Sequence, residues 1–204
     1  MVAALINVGE IQTARVHRQL DMAGRDSRIG QFETGRDGFE LALRYGAGVW
    51  RGATAEKLMD EALIPVCSPA YGAGQPPHTP QEMLAGPLLR DTHVQWARWF
   101  AAMGMDVPEP ANTFVYTDSG LLVQAAVAGQ GLALVREVLA RDDLAAGRLI
   151  RLPGAALPAG LAYYAVHTAD VPLSANARAF LAWIRSEAAA VATVAAVTSV
   201  APDA

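Results

Sequence analysis

The residues best suited to chemistry stand together at Asp118-Ser119-Gly120. An aspartate at the head of a helix accepts from the free backbone N–H groups of the first turn. The same helix start, with the Ser119 hydroxyl beside it, is a place to hold an anionic or polar group of a ligand. The plainer role is a helix cap, stabilising by ~1 kcal/mol, and the Asp118 carboxylate competes with any bound anion for the same donors. Arg44 and Tyr45 are a second candidate pair, ending the alternating run Phe39 to Tyr45 at the turn Gly46-Ala47-Gly48. An arginine there either grips a ligand carboxylate through a two-pronged charge-assisted bond or pairs with an acidic neighbour at the surface. Side chains alternate along a strand, so Arg44 and Tyr45 point to opposite faces and only one of them serves a given site.

Other reactive types are scattered. A single cysteine, Cys67, and four histidines (His17, His78, His93, His167) raise the question of a Cys–His nucleophile pair. A buried, inert thiol is the plainer reading, with Cys67 placed near Tyr163 or Tyr164, and Ser68 is the better ligand contact. Trp96, Trp99 and Phe100 recur at three and four residues, the spacing of a packed helix face. Gly129-Gln130-Gly131 follows a helix and precedes a strand, the wrong order for a dinucleotide fingerprint, so it reads as a helix end and tight turn. The chain has no HExxH, no CxxC and no acidic calcium loop. Glu40, Glu56, Asp60 and Glu61 form no evident acid/base pair. The expectation is a binding protein without metal or cofactor, and not an enzyme.

The elements that must position these groups alternate between strand and helix. Thr113 to Tyr116 reads as a strand. Leu121, Leu122, Ala125 and Ala126 mark one face of the helix that follows Asp118, and Leu132 to Val135 is an apolar run suited to a buried strand. Such a strand–helix–strand unit in a parallel sheet puts the helix start at the carboxyl end of the first strand, where open α/β sheets bind ligands. Upstream, Arg15 to Leu20 reads as a strand, and Gly24 to Gly38 as a loop with a short helix around Ile29 to Glu33. Thr54 to Asp60 and Ala62 to Cys67 read as two extended segments. Thr79-Pro80-Gln81-Glu82 is a capping box with proline at the first helical position. Pro87 to Arg90 is a strand, Gln95 to Met103 a helix, Asp142 to Ala146 a short helix, and Leu149 to Leu152 and Leu161 to His167 are strands. Ser174 caps a long helix with the apolar stripe Ala177, Phe180, Leu181, Ile184 and Ala188. The alternation predicts an α/β fold.

The 204 residues are 52% hydrophobic and 18% charged, the balance of a folded chain with a sizeable core. With 16 Lys and Arg against a net charge of −4 and no basic run, nucleic acid is a poor partner for this chain alone. The lone cysteine fits a reducing compartment. Val2 to Ile6 is too short for a signal segment, and the Ala/Val-rich stretch Ala188 to Ala201 is too short to span a bilayer, so the expectation is a cytoplasmic protein without membrane attachment.

The passage from Asp118 to Arg136 resembles the effector-binding domain of LysR-type transcriptional regulators, in the branch that includes the glycine-cleavage activator. The likeness extends to Asp37 through Gly46, Leu63 through Pro69, Trp96-Ala97-Arg98-Trp99, Asp142 through Leu149, and Ala162-Tyr163-Tyr164, in order from about Val16 to Glu187. It implies two Rossmann-like lobes joined by two crossover strands, as in type 2 periplasmic binding proteins. Lobe I comprises 1–67 with 164–190, lobe II 68–163, and 191–204 is a flexible or helical tail. A small-molecule effector, a carboxylate or amino acid, is held between the lobes, and the resemblance together with the residues above nominates Arg44, Tyr45, Ser68, Asp118, Ser119, Leu134 and Tyr164 as its contacts. It also implies pairing into a homo-dimer or higher oligomer, with DNA reached only through a helix-turn-helix domain that these residues do not contain. The family's first strand and loop have little room in residues 1–14, so an N-terminally shortened lobe I is expected. The rival readings are a truncated module that only forms oligomers and a solute-binding protein of the same fold.

Overall fold

A computed structural model describes residues 3–5, 40–111 and 113–198, the first three and the last seven as backbone alone. The expected strand at Arg15 to Leu20 and the expected loop at Gly24 to Gly38 lie outside the described residues. The elements in chain order are β1 (Ala3–Leu5), β2 (Ala42–Gly46), β3 (Ala53–Cys67), a single 3-10 turn (Tyr71–Ala73), α1 (Pro80–Met83), β4 (Leu88–Asp91) and α2 (Trp96–Ala102). Then come β5 (Val115–Tyr116), α3 (Ser119–Val127), β6 (Leu132–Arg136), α4 (Glu137–Ala145), β7 (Ile150–Arg151), β8 (Leu157–Thr168) and α5 (Ala175–Thr198). They divide into two compact units, one from Met1–Glu61 and Gly160–Ala204, the other Ala62–Ala159. The chain passes from one unit to the other within β3 and again within β8.

In the Ala62–Ala159 unit the strand order is β3-β6-β4-β5, with β7 on β3. β4 runs parallel to both β5 and β6, while β6 and β7 are antiparallel to β3. Apolar residues alternate strictly between the two faces. Ile64, Val66, Leu89, Ala133 and Val135 join Leu122, Val123, Ala125 and Ala126 of α3 and Ala140 of α4 in one core. Leu63, Cys67, Leu88, Leu132 and Leu134 join Met83 of α1 and Trp96, Trp99 and Phe100 of α2 in the other. A sheet covered on both faces favours strands with apolar runs, and Leu132, Ala133, Leu134 and Val135 are all buried. Each buried indole finds an acceptor: Trp96 Nε1 donates to the Leu89 carbonyl (2.8 Å) and Trp99 Nε1 to that of Ala155 (3.1 Å).

The turn at Gly129-Gln130-Gly131 sets the register of this sheet. Gly129 takes φ +75, the left-handed conformation that ends α3. Gly131 has no such φ. It is glycine for space, since an added Cβ would collide with the Pro87 carbonyl oxygen and crowd Leu89. The same oxygen accepts from Leu132 N–H (2.9 Å) and starts the β4–β6 ladder.

The other unit has the strand order β1-β2-β8-β3. β1 and β8 both flank β2 antiparallel, with Leu43 opposite Ala165 and Tyr45 opposite Tyr163. α5 covers this face: Leu41, Leu43 and Ala165 pack with Phe180, Leu181 and Ile184. Ser174 caps α5 as its sequence predicts, accepting from Ala177 N–H (3.2 Å), and Glu40 takes both the Ser174 hydroxyl (2.6 Å) and its backbone N–H (3.0 Å). Arg185 of α5 makes a two-pronged ion pair with Glu56 of β3, and the bond to Arg185 holds the Glu56 carboxyl below its ordinary value.

Several local expectations are corrected. β3 is one strand rather than two segments, because the charge at Glu61 is carried inside the strand at 7% exposure instead of breaking it. α4 starts at Glu137, directly at the end of β6, and not at Asp142. Leu121 is 55% exposed, and Val123 and Gly120 take its place on the buried face of α3. Cys67 pairs across the ladder with Ile150 of β7. In the capping box, Thr79 Oγ1 accepts from Glu82 N–H (3.2 Å), but the Glu82 carboxylate reaches back to His78 N–H (2.8 Å) rather than to Thr79. Among the described residues no helix is long and apolar enough to cross a membrane.

The packing makes two stability predictions. Gly131→Ala forces a methyl group into the Pro87 carbonyl, and it is expected to cost about 1–3 kcal/mol as an overpacked site, read as a lower urea midpoint at unchanged slope. Cys67 is fully buried, and burial pushes its thiol up to about 11. Since the thiolate is the reactive form, a disulfide reagent at pH 8 should leave the folded protein unlabelled and label it once on unfolding in urea.

Candidate functional site

The parallel strands β4, β5 and β6 end at Asp91, Tyr116 and Arg136. Their carboxyl ends are where an open α/β sheet presents its ligand-binding edge. α3 begins there, three residues after β5. Asp118 caps it, with Oδ1 accepting from Gly120 N–H (2.9 Å) and Leu121 N–H (3.1 Å). The donors that would attract an anion are therefore partly taken by the chain's own carboxylate. What the helix start offers instead is the Ser119 hydroxyl, which donates to Asp91 Oδ2 at 2.6 Å. Asp91 is 5% exposed, and its other oxygen accepts from His93 N–H at 2.7 Å. Both acceptor atoms of Asp91 are thus oriented, and the Ser119 proton is committed to one of them. The hydroxyl oxygen keeps a lone pair for an N–H or O–H of a ligand. Its partner is a carboxylate and not an imidazole, an arrangement that orients the hydroxyl.

The remaining nominated residues divide between the units. Ser68, 7% exposed, closes the turn after β3 by accepting from Ala70 N–H (3.3 Å). Leu134, 2% exposed, lies in the core cluster with Trp96 and Trp99, where it packs. In the other unit, Arg44 and Tyr45 do point to opposite faces. Tyr45 lies on the α5 side against Tyr163, ring centroids 4.8 Å apart. Arg44 is opposite Tyr164 in the β2–β8 register, on the face away from α5. There its guanidinium carbon sits 5.7 Å from the centroid of the Trp50 ring, and Trp50 meets Tyr164 edge to face at 5.4 Å. Arg44 is half-buried, and burial lowers its pKa from the ordinary value. The structure therefore joins Arg44 to Tyr164 and Asp118 to Ser119.

Two participants escaped the sequence reading, Asp91 and Trp50. Asp91 is the last residue of a strand read as ending at Arg90, and it opens the turn Thr92-His93. Trp50 stands within Gly46-Ala47-Gly48-Val49-Trp50-Arg51-Gly52. A large aromatic ring in a glycine-rich stretch has nothing local to bury against, and that mismatch was the available signal. Among the described residues no group of three or more His, Cys, Asp or Glu could hold a metal ion.

The LysR substrate binding domain family matches residues 27–189. The glycine cleavage system transcriptional activator of Escherichia coli (strain K12) is 35% identical over 157 residues, which are 76% of this chain and 51% of the activator. The HTH-type transcriptional activator AmpR of Citrobacter koseri is 32% identical over 149 residues, 72% of this chain and 50% of that protein. Among solved structures, the effector domain of the regulator AmpR of Pseudomonas aeruginosa superposes with a TM-score of 0.67 at 26% identity, covering 78% of this chain and 77% of that one. The effector binding domain of AmpR from Citrobacter freundii gives 0.65 at 25%, covering 78% and 79%. The chain spans about half the length of the curated relatives it matches, and those relatives are transcriptional activators and not enzymes. The two-lobed α/β fold of periplasmic binding proteins is the fold of these neighbours, and the chain belongs to the LysR substrate-binding domain family.

Proposed function

We propose that this chain is the ligand-sensing and pairing part of a LysR-type transcriptional regulator, taking a small-molecule effector. The observation that carries this reading is the Ser119–Asp91 hydrogen bond, which joins a part-buried hydroxyl to a buried carboxylate at the carboxyl ends of parallel strands. A polar group held by such a bond, with a lone pair to spare, recognises a ligand with little ordering cost. The effector then acts by population shift: it favours whichever arrangement of the units it binds better, and only by that difference in affinity. In the full regulator the shift is passed to a DNA-binding domain.

A second observation supports pairing between copies. β5 ends the strand order of its unit, and next to it Phe114, Val115 and Leu121 are 73%, 50% and 55% exposed. A short edge strand flanked by bare apolar side chains invites a partner. This surface fits a second copy, which makes the domain an oligomerisation element as well as a sensor.

A thermal-shift screen against amino acids, organic acids and aromatic acids tests the sensing. A ligand at ~100 times its dissociation constant adds about 2.7 kcal/mol, a rise of roughly 5–10 °C for a chain of this size. The rise should saturate and shrink in Ser119→Ala; a well-folded sample that responds to nothing would leave only the pairing role. For the pairing, Leu121→Glu is expected to shift the protein to monomer in analytical ultracentrifugation with its thermal midpoint nearly unchanged, since Leu121 is not in the core.

A further inference from the structure

An acid outside the nominated residues joins β4 to α2 across the turn that carries Asp91. β4 ends at Arg90-Asp91, and α2 starts at Trp96 after the turn Thr92 to Gln95. Side chains alternate along a strand. Leu89 packs on the α3 side of the sheet and Leu88 on the α2 side, so Asp91 turns toward Ser119 and Arg90 toward the start of α2. That start has no cap of its own, since the Gln95 side chain makes no capping bond. Glu109 supplies one from the loop beyond α2. Its Oε2 accepts from Ala97 N–H (2.8 Å), and its Oε1 accepts from Arg90 Nε–H (3.1 Å). One carboxylate therefore clamps both ends of the turn. Glu109 stands between Pro108 and Pro110. Proline fixes its own φ and restricts the residue before it to extended backbone, so the clamp has little freedom to lose.

We propose that Glu109 is a positioning residue of the effector site: by tying Arg90 to Ala97 it holds Asp91 in place, and through Asp91 it sets the direction of the Ser119 hydroxyl. This rests on the sensing reading above and adds to it a residue that acts without touching the effector. Three features carry it. Both bonds of Glu109 are made at the ends of one short turn, and the bond to Arg90 joins opposite charges, the stronger kind of hydrogen bond. Asp91 belongs to that turn, because its Oδ1 accepts from His93 N–H (2.7 Å). The bond from Ser119 to Asp91 Oδ2 is short, at 2.6 Å, so a displacement of Asp91 by about 1 Å takes it out of hydrogen-bond range. Glutamine at position 109 keeps the length and one acceptor oxygen, enough for one of the two bonds. Alanine keeps neither.

The test uses the full chain labelled with 13C-serine, in which the Ser119 Cβ signal reports the state of its hydroxyl. Asp91→Ala removes the acceptor and marks where the signal lies without the bond. Glu109→Ala should move the Ser119 signal toward that mark and Glu109→Gln part of the way, while the Ser174 signal, from the cap of α5, stays in place. Amide exchange gives a second reading. His93 should exchange about 10-fold faster or more in Glu109→Ala, and Leu132, bonded to Pro87, should not. The amino acids and organic acids of the thermal-shift screen are the binding probes. Those that raise the wild-type midpoint should bind about 10-fold more weakly in Glu109→Ala. Adding Ser119→Ala should then weaken them little further, because both changes act on one contact. An unmoved Ser119 signal in Glu109→Ala, equal movement of Ser119 and Ser174, or fully additive weakening overturns the assignment. If Glu109→Ala fails to fold, Glu109→Gln is read on the same signals, and an unmoved Ser119 in it overturns the assignment too. A Ser119 signal that moves as expected, in a protein that no compound of the screen stabilises, overturns the sensing reading and with it the effector role of Glu109.

Discussion

The contact on which the rest of the Ala62–Ala159 unit depends is the hydrogen bond from Leu132 N–H to the Pro87 carbonyl. It forms only because Gly131 lets the two backbones approach. Once made, it fixes Leu88 opposite Leu132 and Leu89 opposite Ala133. A slip by one residue would exchange every apolar side chain of β6 between the two cores, sending Leu132 and Leu134 toward α3 and Ala133 and Val135 toward the tryptophans of α2. The cores are not equivalent. The α3 side is lined by alanines at 125, 126 and 133, and the α2 side by Trp96, Trp99, Phe100 and Met83. Volume therefore enforces the register that the glycine permits. The same register carries β4 to its end at Asp91, beside the start of α3, so the Ser119–Asp91 bond is a consequence of a backbone contact at the opposite end of the strands.

Much of this was legible in the sequence because the signals were local. An aspartate before an apolar periodic stretch, a Gly-Gln-Gly break and an uninterrupted apolar run each have one strong physical reading, and the strand–helix–strand unit follows. What was not legible depended on distance in the chain. Asp91 becomes important only when Ser119 arrives 28 residues later. Trp50 finds its partners on β2 and β8. α4 begins with no side-chain cap, straight from Arg136, so nothing in the sequence marks its start. Leu121 was misplaced because a run of three apolar residues, Leu121-Leu122-Val123, fits two helical faces equally well, and only the position of the sheet decides between them.

The two units are stabilised separately. The α5 stripe and its partners on β2 and β8 make one core, and the two clusters on either side of the other sheet make two more. Substitutions in cores that share no partner add independently. Each unit's core can be probed by its own substitutions.

The polarity of the two nominated contact groups follows from what each fold element can tolerate. A helix start favours negative charge, and Asp118 already supplies it, with Asp91 buried alongside. A second anion from a ligand would meet two carboxylates and find the Gly120 and Leu121 donors taken. The α3 end thus suits a hydrogen-bond donor. A cation gains nothing from a helix start, and the one on β2, Arg44, has its guanidinium carbon 5.7 Å from the centroid of the Trp50 ring. The acceptor-rich corner and the arginine arise from different elements, one from a helix cap and the other from a strand beside an aromatic ring. That separation places the capping aspartate in one unit and the arginine in the other.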